Sequence, residues 1–408
     1  MSKKKKILPK LRFPDFLKDE DWVKQSLGEV AEIITGNTPS TKERSYYGGE
    51  LMFVSPADIS DSRIVNQTKT TLTELGFSKT RQIEANSVLF VCIGSTIGKI
   101  AQNKYKCATN QQINSLVPCN GYSSDFLYSI LDYNSTKIAS IAGNHVVPII
   151  NKTTFSAIII EFPPRLEEQH KIASCLSSLD DLIAAHNDKL EILKEHKKGL
   201  MQNLFPQDGQ KVPNYRFPEF QDDDKWVKTK LGDAADFING KAYKQKELLS
   251  EEKYRVLRVG NLFTNNKWYY SDLELDEDKY CENGDLLFAW SASFGPHIWK
   301  EEKVIYHYHI WKVKNKYGIN KEFLFNLLDY ETLRMKNKTL NGFALMHITK
   351  GAIENWESII PSNPKEQQKI ASCLSAVDEL ITAQSDKIEQ LQQHKKGLMQ
   401  GLFPKIES

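Results

Sequence analysis

The residues with most chemistry to offer lie in polar loops. The stretch Thr38-Pro-Ser-Thr41-Lys42-Glu-Arg44-Ser-Tyr46-Tyr47 mixes hydroxyls, two cations and two aromatic rings. Lys241-Ala-Tyr243-Lys244-Gln-Lys246 repeats the mixture further along, and Arg255, Arg258 and Asn261 flank a short apolar run. Ser95, Lys99, Ser291 and Ser293 sit at turns between apolar runs. Such side chains hydrogen-bond phosphate oxygens and base edges. Thr38, Thr41, Lys42, Arg44, Tyr46, Ser95, Lys99, Lys241, Tyr243, Lys244, Arg258, Asn261, Ser291 and Ser293 are therefore the candidate nucleic-acid contacts. Each cluster taken singly also describes an ordinary solvated loop.

Other chemistries find no footing. There is no N/D-P-P-Y/F run for methylation of an exocyclic amine and no G-x-G-x-x-G dinucleotide fingerprint. Gly94-Ser-Thr-Ile-Gly98-Lys99-Ile100 imitates a phosphate loop, but one residue is missing between the glycines. Ile100 also stands where a magnesium-binding hydroxyl is needed, so the segment is expected to be a tight turn. His307 and His309 alternate in an apparent strand and would share a face, which reads as packing rather than metal binding. No catalytic or metal-ligating residue is assigned.

Composition narrows the class. Hydrophobic content of 40% and charged content of 26% suit a globular chain long enough for two or three domains. No apolar run approaches a bilayer span. Lys3–Lys6 form a basic tail without an apolar region behind it, so it is not a secretory signal, and a cytoplasmic location is expected. Six cysteines without C-x-x-C pairing read as reduced thiols. Net charge is +2, and residues 1–16 alone supply six bases against one acid. Segment 17–165 has fourteen bases and fourteen acids, and segment 221–362 has twenty-one and twenty-two. Any nucleic-acid face must therefore come from local clustering.

The elements that would position the loops announce themselves by repetition. Pro9–Phe16 returns as Pro213–Phe220, Trp22 as Trp226, Leu27-Gly28 as Leu231-Gly232 and Gly36 as Gly240, all offset by 204. Residues 168–206 and 366–404 match at 27 of 39 positions, offset by 198. Between these frames lie two dissimilar segments. Each contains apolar runs around turns (87–102 and 284–300) and ends in a helical stretch, near Ser124–Ile138 and Lys321–Lys336. One scaffold carrying two different contents is the simplest description.

The closely matching frame is a coiled-coil helix. Ile172, Leu176, Leu179, Ile183, His186, Leu190, Leu193, Lys197, Leu200 and Leu204 step alternately by four and three. The second copy runs Ile370, Leu374, Val377, Ile381, Gln384, Ile388, Leu391, Lys395, Leu398 and Leu402. Each copy is the natural partner of the other, paired antiparallel, which brings His186 and Gln384 into adjacent layers where they can hydrogen-bond. Two separate dimerisation helices are the alternative. Lys197-Lys198 and Lys395-Lys396, in identical HKKGLMQ contexts, are candidate partner-binding residues.

This layout resembles the specificity subunits of type I restriction-modification systems. The resemblance is carried by GNTPSTKERSYYGGELMFVSPADI at 36–59, by FPPRLEEQHKIASCLSSLDDLI at 162–183 with HKKGLMQNLFP at 196–206 and their second copy at 366–404, and by GDLLFAWSASFGPHIW at 284–299. It implies an α+β fold of two mixed α/β target-recognition domains, separated by an antiparallel pair of long coiled-coil helices with pseudo-two-fold symmetry. The boundaries would be 1–165 and 207–362 for the domains, and 166–206 and 363–408 for the helices. It further implies that each domain reads half of a split duplex DNA site. Two modification subunits would carry S-adenosylmethionine and adenine-N6 methylation, and two motor-nuclease subunits would use ATP and Mg. Two other readings remain open: an enzyme with an unrecognised site in one variable segment, and a scaffold that binds only protein.

Overall fold

The computed structural model describes residues 8–60, 62–143, 147–263, 265–291, 293–339 and 347–404; the basic tail Lys3–Lys6 lies outside them. The chain forms two compact units, Met1–Lys189 with Gln384–Ser408, and Leu190–Ala383. The boundary therefore runs through both long helices, not between helix and domain. Each unit takes one variable domain and a segment of both helices.

In the first unit, β1 (Ala31–Thr35), β2 (Tyr47–Val54), β3 (Val88–Val91), β4 (Ile100–Asn103), β5 (Cys107–Thr109) and β6 (Ile113–Pro118) build two sheets. One has the order β1-β6-β3-β4, extended by Ile64–Val65. The other has Thr70–Leu72, β2, β5 and Gln82–Ile83, with β2 and β5 parallel. β3 is a wholly buried apolar run, β4 to β6 bury Gln102, Asn103, Thr109, Asn114 and Ser115 beside their apolar residues, and the core between the sheets includes Met52, Val54, Leu89, Val91 and Ile113. Helix α1 (Ser124–Ser140) begins at Ser123, whose hydroxyl accepts from the Phe126 amide. The imitation phosphate loop is the β3–β4 hairpin turn, with Gly94 and Gly98 at positive φ, as expected.

Helix α2 (Leu166–Leu204) follows two prolines and contributes to both units. In the second unit, β7 (Ala235–Asn239), β8 (Tyr254–Leu257), β9 (Leu286–Ser291), β10 (Ser293–Ile298), β11 (Val304–Tyr306) and β12 (Ile310–Asn315) repeat the plan. One sheet is β7-β12-β9-β10; the other is Tyr269–Ser271, β8, β11 and Tyr280–Cys281, again with its inner pair β8 and β11 parallel. Helix α3 (Lys321–Thr339) and helix α4 (Pro364–Leu402) complete the elements. Pro364 opens α4, a position where its missing amide proton is harmless.

The heptad seam packs as expected within each unit. Ile172 and Leu176 share the first core with Met399, Leu402 and Phe403. Met201, Leu204 and Phe205 share the second with Ile370 and Leu374. Lys395 pairs with Asp180 in the first unit and Lys197 with Asp378 in the second, so the helices run antiparallel in both. His186 and Gln384 meet: the Gln384 amide nitrogen lies 2.7 Å from His186 Nδ1 and donates to the His186 carbonyl at 2.7 Å.

The repeated frame residues close each domain onto its helices in the same way. Glu168, 1% exposed, accepts from Arg12 Nε and NH2 at 2.8 Å each and from Trp22 Nε1 at 3.2 Å. Glu366, also 1% exposed, accepts from Arg216 Nε and NH2 at 2.8 Å and from Trp226 Nε1 at 3.0 Å. A buried carboxylate held bidentately by arginine is compensated, and its geometry fixes the arginine plane. Among the described residues, no helix is long and apolar enough to cross a membrane.

Candidate nucleic-acid interface

The sequence candidates separate into those that converge and those with local work. In both domains the convergence point is the same corner, where the chain leaves one sheet and enters the other. In the first domain this corner is Asn110-Gln111-Gln112, between β5 and β6. In the second it is His307-Tyr308-His309, between β11 and β12. The middle residue is exposed and its neighbours half-buried in both.

The two corners share their backbone hydrogen bonds. The Asn110 amide donates to the Val54 carbonyl at 3.0 Å, and the His307 amide to the Leu257 carbonyl at 2.9 Å. Ile113 N donates to Asn110 O at 3.2 Å, as Ile310 N does to His307 O at 2.9 Å. Cys92 N donates to Gln112 O at 2.8 Å, as Trp290 N does to His309 O at 3.1 Å. The first side chain folds back as well. Asn110 Oδ1 accepts from the Gln112 amide at 3.1 Å, and His307 Nδ1 from the His309 amide at 3.4 Å. Gly36 and Gly240 lie against these corners. A β-carbon on Gly36 would overlap the carbonyls of Thr109 and Asn110, and one on Gly240 those of Tyr306 and His307. That close approach explains why the glycine survives in both frames.

Around the first corner, Thr38 donates from Oγ1 to Gln111 Oε1 at 2.7 Å. Thr41, Lys42 and Arg44 are exposed and Tyr46 half-buried; the Tyr46 carbonyl accepts from Thr73 N. Ser95 is exposed on the hairpin turn. Lys99 is tethered, its ammonium donating to the Ile59 carbonyl at 3.0 Å.

Around the second corner the convergence is denser. Tyr308 N donates to Lys241 O at 3.0 Å, and Trp290 Nε1 to Tyr308 O at 2.8 Å. All six backbone polar groups of residues 307–309 are thereby hydrogen-bonded. Tyr243 stacks on His307 with centroids 6.2 Å apart, and Ser291 Oγ lies 3.1 Å from His347 Nδ1. Trp290 meets His309 edge-on at 4.9 Å. Burial, reinforced by His309 and Arg258, pushes the His307 pKa down to about 4, and burial lowers His309 as well. This corner therefore presents neutral imidazoles. Lys244 is exposed, Ser293 is half-buried, and Lys241 Nζ faces Glu247 at 3.8 Å. Arg258 lies over the Tyr269 ring. Asn261 instead closes a local turn, through Arg258 N, Asn265 O and Lys267 O.

Two expectations need correction. His307 and His309 do not alternate in a strand. The run 303–315 looks continuous because its apolar residues keep period two, yet it is two strands of different sheets joined at the corner. The imidazoles are 4.8 Å apart across that turn, and no group of three metal-ligating residues occurs among the described residues. Secondly, Lys197 and Lys395 are internal. Lys395 pairs with Asp180 on α2 at 2.6 Å and Asp132 on α1 at 3.5 Å. Lys197 pairs with Asp378 on α4 at 2.9 Å and Asp329 on α3 at 3.4 Å. Both side chains are only 15% exposed, whereas Lys198 and Lys396 are exposed.

Gln111, Trp290, Tyr308, His309 and His347 were not among the sequence candidates. The frames placed the glycines, but nothing local marked Gln111, and Tyr308 was hidden in the strand-like alternation.

Comparison with known proteins agrees with this architecture. Residues 19–195 and 223–393 match the family model for the type I restriction modification DNA specificity domain. The chain is 26% identical to the type I restriction enzyme MjaVIII specificity subunit of Methanocaldococcus jannaschii, covering 93% of this chain and 91% of the relative. A putative MjaX specificity subunit from the same organism is 28% identical over 93% and 92%. The fold matches the S subunit of the type I restriction-modification system of M. genitalium with a TM-score of 0.62 at 15% identity, over 98% of this chain and 100% of that one. With one family match on each variable domain and its adjoining helix, the chain belongs to the type I restriction-modification specificity subunits and carries two target-recognition domains.

Proposed function

We propose that this chain reads a bipartite duplex DNA target, one half-site per domain, and performs no chemistry itself. The observation that carries the reading is the pair of matched corners: one backbone frame, two different sets of displayed side chains. Thr38 in the first domain, and Lys241 and Arg258 in the second, supply donors beside those corners, and the exposed Lys42, Arg44 and Lys244 add phosphate donors on the same two domains.

The chemistry belongs to partner subunits in this reading. Two modification subunits supply S-adenosylmethionine-dependent adenine-N6 methylation, and two motor-nuclease subunits supply ATP- and Mg-dependent cleavage, in the cytoplasm. Lys198 and Lys396, exposed in identical sequence contexts, suit two copies of one partner. The test compares N6-methyladenine positions across the host genome with and without this chain. A split motif that disappears with the chain supports the reading, and an unchanged pattern rejects it. Incubating the purified chain alone with DNA, Mg and S-adenosylmethionine should give no turnover; turnover would favour an enzyme.

A further inference from the structure

The two corners differ in what they show to solvent while agreeing in how they are held. The first position of each turn is committed to structure. Asn110 locks the Gln112 amide through Oδ1 and donates from Nδ2 to Gln112 Oε1 at 3.0 Å, and His307 caps the His309 amide. The third position is half-committed: Gln112 Nε2 donates to Ile93 O at 3.3 Å, and His309 packs against Trp290. Only the middle residue, Gln111 or Tyr308, is exposed.

A solvent-exposed turn is ordinarily free to move. These turns are pinned by main-chain bonds to both flanking sheets, so ordering of the displayed side chain is largely settled before any contact is made. Gln111 is oriented further by Thr38, which occupies one lone pair of Oε1 and leaves Nε2 as a donor. The Tyr308 ring meets Trp290 edge-on at 5.9 Å and lies 3.9 Å from the His309 ring, and 37% of the residue still faces solvent, so these contacts orient the phenol without burying it.

We propose that Gln111 and Tyr308 are specificity-determining residues of the first and second domains respectively, each presented to base edges by its pinned corner. This deepens, and rests on, the reading of the chain as a bipartite DNA reader. The carboxamide of Gln111 suits the paired donor and acceptor of an adenine edge. Tyr308 offers a phenolic donor-acceptor and a ring face, beside the neutral imidazole of His309.

The test uses the full chain, purified from its host together with the subunits that accompany it. The probe is a pool of duplex DNA randomised across its central region, with bound molecules sequenced. Wild type should select a two-part motif. Gln111→Ala should reduce discrimination about ten-fold or more at one or two base pairs of one half only, and Tyr308→Ala should do so in the other half only. The reciprocal exchanges Gln111→Tyr and Tyr308→Gln, which keep a side chain on each turn, should alter the preferred bases in the same halves. Thermal unfolding of all four variants should stay cooperative and close to wild type, because the bonds that pin residues 111 and 308 are made by their main chain or by other residues and only surface contacts of the two side chains are lost. Base preferences unchanged in the alanine variants and the exchanges overturn the inference and leave bipartite reading intact. A uniform affinity loss without altered preference also overturns it, since the residues would then be general contacts. A wild-type complex that selects no two-part motif overturns the underlying reading, and the inference with it.

Discussion

At the residue scale, two buried carboxylates decide how the domains close on the helices. Glu168 and Glu366 each sit between an arginine and a tryptophan that recur at fixed offsets in the sequence. Arg12→Met would leave Glu168 buried with one neutral donor. Breaking a buried pair from one side should lower the stability of the first unit by about 3–5 kcal/mol, read from urea unfolding by tryptophan fluorescence. Arg216→Met should do the same in the second unit. The His307 imidazole makes a different prediction. Its folded pKa is depressed to about 4, so below the ordinary histidine value the unfolded chain binds a proton that the folded unit does not. Stability of the second unit should therefore fall as pH drops from about 6.5 towards 4 and be fully present above that window. His307→Asn keeps an acceptor for the His309 amide, as Asn110 does at the other corner. It should flatten this part of the profile in unfolding measured at pH 7.5 and 5; an unaltered slope would assign the acid loss to other groups.

At the element scale, the coiled-coil seam shows what polar interruptions are for. The seam breaks apolar character at the same two ranks in each helix, and the ranks do different work. His186 and Gln384 satisfy each other within the first unit, whereas Lys197 and Lys395 each bridge a carboxylate on the facing long helix and one on the variable domain's helix. Gln384→Ala should cost about 1 kcal/mol, because it removes the partner of the His186 ring nitrogen and the second hydrogen bond to the His186 carbonyl. The double replacement His186→Leu with Gln384→Leu should recover most of that loss or exceed wild type in stability, since both polar groups leave together. A double variant weaker than the single one, in chemical denaturation, would show that the pair contributes more than hydrogen-bond satisfaction. Burial raises the Asp132 pKa, and Lys395 opposes the rise. Lys395→Met should push it higher still, giving the first unit a stability that decreases as pH rises through that value, detectable by carboxyl NMR titration.

At the scale of the whole molecule, the repeated frames predict exchangeable domains. Replacing residues 221–362 by the corresponding segment of another family member should change one half of the recognised site and leave the other intact. Methylation-site mapping reads this directly, and a change in both halves would refute independence. The helix ends predict partner contacts of a narrower kind than the paired lysines first indicated. Lys198→Glu with Lys396→Glu should weaken association with accompanying subunits in pull-down and sedimentation, with circular dichroism unchanged. Lys197→Glu or Lys395→Glu should instead perturb folding, because each ammonium group bridges two carboxylates that would then face a third negative charge.

The sequence by itself determined the duplication, the long helices with their antiparallel pairing, the His186–Gln384 contact and the family. These are set by periodicity and by side chains at fixed spacing, which survive in one dimension. Gly36 and Gly240 were visible too, but as markers without a reason. Only tertiary structure supplied the reason, since the carbonyls they accommodate lie some seventy residues further along the chain. Tertiary structure alone decided that the run through His307 and His309 turns a corner, because period-two alternation is the same whether a chain continues in one sheet or passes to another. For the paired lysines the heptad register already put Lys197 and Lys395 on the seam and Lys198 and Lys396 off it; only tertiary structure supplied the carboxylates of Asp329 and Asp378, and of Asp132 and Asp180, that make the seam lysines internal counter-ions. The displayed residues Gln111 and Tyr308 were the least legible, because recognition depends on exposure and on a pinned backbone, and neither leaves a local signature in the chain.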